Sequence, residues 1–63
     1  MVKITITPTT LFFDDISDEI LMKIDERDLE LRTAPKGYRV SGAKEKLFML
    51  LVDIAQDFDV EIV

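Results

Sequence analysis

The strongest constraint on the fold is a change of hydrophobic period along the chain. Val2-Lys3-Ile4-Thr5-Ile6-Thr7 alternates apolar and polar residues, with β-branched side chains on one side. That is the signature of a strand with one face buried. Pro8 cannot donate to a sheet ladder, so the strand is expected to stop there. Asp59-Val60-Glu61-Ile62-Val63 alternates again at the other end. Between them, from Ala43 to about Asp57, Leu47, Leu51, Ile54 and Phe58 recur at three- and four-residue spacing, with Phe48, Leu50 and Ala55 beside them. This predicts an amphipathic helix, for which Ser41 is the expected N-cap.

The middle of the chain supplies two more features. Leu29 to Thr33 and Tyr38 to Ser41 flank Ala34-Pro35-Lys36-Gly37, which reads as a hairpin closed by a type I turn. Burying one face selects the register that sets Thr33 opposite Tyr38 and Leu31 opposite Val40. In this register Arg32 and Arg39 point together from the outer face, and Tyr38 points inward. Earlier, Phe13, Ile16, Ile20 and Ile24 would line one helical face, predicting a helix from about Asp14 to Ile24. Asp14, Asp15, Asp18 and Glu19 would lie near its positive end. The alternative is a strand at Ile20–Ile24 turning at 25–28 into the next strand. This gives a β-meander with a single long helix and a C-terminal strand.

The order strand, helix, hairpin, helix, strand is the layout of an α+β, ferredoxin-like β-α-β-β-α-β domain. Its sheet would be antiparallel, with both helices on one face and the first and last strands adjacent. Residues 1–63 form one such domain. Many unrelated functions share the layout, so it constrains function little.

Size makes that core thin. A chain of 63 residues buries about 60% of its unfolded surface, and small domains are commonly reinforced by disulfides, metals or partner chains. This chain has no cysteine and no histidine, so a partner chain is the reinforcement left. No apolar run approaches the roughly 20 residues of a membrane span, and the N-terminus lacks a signal-peptide core. A cytoplasmic protein without membrane contact is expected.

Catalytic chemistry is poorly supplied. The only serines, Ser17 and Ser41, sit where backbone capping explains them, and no enzyme, cofactor or metal is expected. The acids Asp14, Asp15, Asp18, Glu19, Asp25, Glu26 and Asp28 lack the spacing and the glycine of a calcium loop.

Charge is unevenly spread: residues 14–30 carry eight acids and two bases, residues 31–46 five bases and one acid. Two nucleic-acid readings follow. Arg32, Lys36 and Arg39 could contact an anion or nucleic acid through the hairpin, or the acidic segment could imitate nucleic acid. Neither is the leading expectation at a net charge of −5, because phosphate neutralisation needs clustered cations. An RNA-binding sheet would also present exposed aromatics, and the expected strands offer none.

The leading expectation comes from the last helix. Met49 points almost directly away from the Leu47–Phe58 stripe, and Val52 lies well off it. Met22 stands likewise on the first helix. An interface of Met49, Val52 and Phe48, with Gln56 at its rim, would serve a small non-enzymatic binding protein that pairs with itself or with another protein.

Overall fold

In a computed structural model, which describes residues 2–63, the chain forms five strands and two helices. The strands are β1 (Val2–Ile6), β2 (Thr10–Phe13), β3 (Glu30–Ala34), β4 (Gly37–Ser41) and β5 (Val60–Ile62). The helices are α1 (Asp18–Glu26) and α2 (Lys44–Asp57). The sheet order is β3-β4-β2-β1-β5. All pairs are antiparallel except β1 with β5, which run parallel.

The class is therefore α+β with both expected helices, but the sheet is mixed and has five strands. The added strand is β2. Pro8 does stop β1, and the chain then turns at once: the Thr7 backbone N–H donates to the Thr10 carbonyl at 2.9 Å, and the Thr7 hydroxyl donates to the same oxygen at 3.0 Å. Thr10–Phe13 returns beside β1, with Ile6 opposite Leu11 and Ile4 opposite Phe13. This inserts β2 between β1 and β4, which the ferredoxin-like layout would make neighbours. Phe13 thus belongs to a strand, not to the helical stripe expected for it.

Connectivity explains why both helices share one face. Since β4 is antiparallel to β2 and to β3, those two strands run the same way and α1 crosses between them. By the same logic β4 and β5 are parallel, and α2 crosses between them. The crossovers start from oppositely directed strands and move in opposite directions across the sheet. Two right-handed crossovers of that kind land on the same side. One apolar cluster accordingly joins Ile4, Leu11, Phe13 and Val40 of the sheet to Ile20, Ile24, Leu47, Leu50 and Ile54 of the helices.

Helix α1 starts later than the apolar spacing suggested. Ser17 is its N-cap, accepting from the Ile20 backbone N–H at 3.4 Å, with Asp18 and Glu19 in the first turn. Residues 20–24 are helical, which removes the β-meander alternative. The helix ends in a Schellman motif. Asp28 N–H donates to the Asp25 carbonyl at 3.2 Å and Leu29 N–H to the Ile24 carbonyl at 3.4 Å, with Asp28 at φ 54°. Leu29 then packs on the core and comes close to Gly42, where an added Cβ would lie 2.4 Å from its side chain.

The β3–β4 hairpin has the expected register: Thr33 faces Tyr38, Arg32 faces Arg39 and Leu31 faces Val40. Ala34 and Gly37 also pair, so only Pro35 and Lys36 form the connection. Neither has positive φ, as a type I turn requires. Ser41 is not the cap of α2. It is the last residue of β4, opposite Thr10 and Glu30, and Ala43 takes the N-cap position without a side-chain bond. At the far edge, Val2 lies beside Val60 and Ile4 beside Ile62. The first and last strands are neighbours, as expected, with Ile4 fully buried and Val60 partly so.

Candidate interaction surfaces

Three surfaces have enough definition to act. The first lies on α2. Its buried residues are Leu47, Leu50 and Ile54, while Phe48 is 63% exposed, Met49 58% and Val52 39%. At 100° per residue, Phe48 and Met49 lie on opposite sides of the outward face, and Val52 lies between them, nearly opposite the buried stripe. The surroundings separate them as well. Phe48 lines a cleft of about 510 Å³ with Leu47, Leu51, Leu11, Ile6 and Pro8. Met49 instead borders a shallower cleft walled by Glu26, Arg27, Asp28, Glu45 and Lys46. Of the four interface residues read from the sequence, only Phe48 lines the apolar cleft; Val52, Met49 and Gln56 are exposed but lie outside it. Sequence reasoning missed Ile6 and Pro8, because their part depends on the β1–β2 turn reaching the N-terminal half of α2.

The second surface is the seam between the helices. Lys23 of α1 reaches Asp53 at 2.9 Å and Asp57 at 2.8 Å on α2, and Arg27 also pairs with Asp53. Hydrogen bonds donated by Lys23 to Asp57 and then Asp53 raise its ammonium above its ordinary value. The Lys23 hydrogen bond, reinforced by the charges of Lys23 and Arg27, holds the Asp53 carboxyl below its ordinary value. This seam is structural: each charge has its counterion, and together they fix α1 against α2.

The seam predicts a pH dependence. A carboxyl with a depressed folded value contributes its full stability above the unfolded titration, near pH 4, and loses it as pH falls through the lower folded value. Lys23, being raised, contributes fully below about pH 10.5 and loses it as pH rises through the higher folded value. Asp53→Asn should therefore lower the melting temperature at pH 7, with the deficit shrinking as pH falls toward 3. Thermal melts across that range check it, and parallel curves for the two proteins would contradict it.

The third surface is the outer face of the sheet, which no helix covers. Its central row runs Arg32, Arg39, Phe12, Thr5 across β3, β4, β2 and β1. Arg32 and Arg39 stand directly opposite each other, as expected, and Glu30 pairs with Arg32 and relieves part of that repulsion. Lys36 is exposed at the turn, and Tyr38 packs inward against the core. Phe12 corrects the sequence reading, which found no aromatic for this face. It sits on the middle strand with its ring partly exposed. Once Thr10-Leu11-Phe12-Phe13 is a strand, alternation sends Leu11 and Phe13 inward and Phe12 out.

Among the described residues, no three acidic side chains converge as metal ligands would. No helix among the described residues is long and apolar enough to cross a membrane. No family model, curated protein or solved structure matches this chain.

Proposed function

We propose that this chain is a cytoplasmic, non-enzymatic binding protein that acts through protein–protein contacts and pairs with a second copy of itself. The observation that carries the reading is the exposed side of α2, where Phe48 lines a cleft with Ile6, Pro8, Leu11 and Leu51 and Val52 stands exposed one turn further on. A two-fold axis beside α2 would set Phe48 of each copy against the cleft of the other. Such a contact is self-complementary, as a closed dimer requires. Met49 and Gln56 then form the rim. A standard interface of about 600–800 Å² per partner would cover roughly one-sixth of the 4416 Å² surface. At about 25 cal/mol per Å² of apolar area, that supplies stabilisation a core of nine buried residues lacks.

Pairing makes the melting temperature depend on concentration. A tenfold increase in protein should raise it by roughly 3–5 °C. Phe48→Glu and Val52→Glu should each yield a monomer by sedimentation and abolish that dependence, with Met49→Glu weaker than either. A wild-type monomer at high micromolar concentration, with Phe48→Glu equally stable, would remove self-pairing and leave the flank to another protein.

A further inference from the structure

We infer that the outer face of the sheet binds single-stranded nucleic acid, with Phe12 as a stacking platform and Arg39, Lys3 and Lys36 holding the phosphates. The inference is independent of the pairing through α2, which lies on the opposite side of the sheet.

Three observations converge on it. The face is uncovered, and its one aromatic, Phe12, lies on the middle strand rather than at an edge. Stacking on an aromatic ring suits any base, because every base has a π-face.

Charge is segregated across the sheet. The outer face and its turn hold Lys3, Arg32, Lys36 and Arg39, four of the chain's eight cations, and only two of its thirteen acids, Glu30 and Glu61. The other side and the connections carry the remaining eleven acids with four bases, which accounts for a net charge of −5 without cancelling the local positive field. Arg32 already has Glu30, whereas Arg39, Lys3 and Lys36 make no ion pair among the described residues.

The third observation is shape. A cleft of about 440 Å³ runs beside Phe12, walled by Lys3, Thr5, Asp14, Pro35, Lys36 and Val63. Neighbouring strands lie about 4.8 Å apart, so the Arg39 side chain on β4 starts one strand away from the Phe12 ring. A base laid on Phe12 would have its own phosphate within reach of Arg39. The next phosphate along the cleft would meet Lys36 or Lys3. Two carboxylates on the face, a third from Asp14 in the cleft and a single ring argue for modest affinity and little sequence preference.

Fluorescence anisotropy of labelled oligouridine and oligothymidine of about 10 nucleotides tests this, with heparin as a polyanion that has no bases. Saturable binding in the micromolar range is expected at about 50 mM salt. Neutralising three phosphates predicts a log–log salt slope of about −2. Phe12→Leu should weaken binding about fivefold or more through lost stacking. Arg39→Gln, at an exposed position, should weaken it and flatten the salt slope, while Lys46→Gln on α2 leaves both unchanged. Circular dichroism confirms that each variant is folded, and Arg39→Gln keeps the test decisive if Phe12→Leu is not. No binding at 50 mM salt overturns the inference. So does binding that heparin matches and that neither Phe12→Leu nor Arg39→Gln alters.

Discussion

Gly37→Val should unfold the domain or come close to it. Gly37 has φ +149°, and a Cβ placed there would lie 2.1 Å from the Phe13 carbonyl oxygen and 3.0 Å from the Asp14 Cα. Two penalties add. Holding a side-chain-bearing residue in a conformation that is nearly exclusive to glycine costs about 1–3 kcal/mol. Forcing backbone aside in a packed region costs about 1–3 kcal/mol more. The displaced atoms belong to Phe13, the last residue of β2, and to Asp14 just after it; β2 ties the hairpin to β1, so they cannot yield without opening the sheet. A loss of about 3 kcal/mol shifts the melting temperature of a domain this size by roughly 12 °C or more. Gly37→Ala should show most of the same loss, since the first carbon makes the clash. A melting temperature within a degree of wild type for either variant would mean that Gly37 does not adopt this conformation.

Elements whose period ran long enough to be unambiguous were legible in the sequence. The β3–β4 register followed from a single requirement, that Leu31 and Val40 share the buried face, and it held although the connection proved tighter than drawn. The adjacency of β1 and β5 followed from two alternating segments that each needed a covered face. Strand β2 was not legible, for a physical reason. It has four residues, it follows a proline that ends the preceding strand, and its Phe13 falls in helical step with Ile16, Ile20 and Ile24. A short strand offers only two inward residues, and here the apolar Phe12 between them hides the alternation. Its place in the sheet depends on tertiary pairing on both sides, which local propensity does not encode.

That one missed strand also governed what could be read of the surfaces. With Phe13 counted in a helical stripe and Leu11 and Phe12 given no element, Phe12 had no face, and the outer sheet looked like two arginines without an aromatic. The exposed residues of α2 were visible because a helix wheel needs no partner to define its outside. Their grouping was not, since Phe48 and Met49 are separated by what lies next to them, the β1–β2 turn on one side and the C-terminal end of α1 on the other. Arg32, Lys36 and Arg39 were legible because the hairpin register alone fixes them.

Leu50→Ala should destabilise the domain by about 2–5 kcal/mol, and Leu51→Ala by distinctly less. The sequence stripe of Leu47, Leu51, Ile54 and Phe58 centres the buried face near Leu51 and leaves Leu50 beside it. The structure turns the helix the other way: Leu50 and Ile54 have no exposed surface, Leu47 is 4% exposed, and Leu51 and Phe58 are only partly buried. The seam with α1 explains the rotation. Asp53 and Asp57 lie on the Leu50 side of α2, and their pairing with Lys23 and Arg27 draws that side under α1. Truncating Leu50 therefore removes side-chain carbons from a site closed by both helices and the sheet, and the space left cannot refill from solvent. Truncating Leu51 opens a position that already borders the cleft beside Phe48, where neighbours can relax. Denaturant melts of both variants decide the matter. Equal losses, or a larger loss for Leu51→Ala, would place the buried face where the sequence stripe alone puts it.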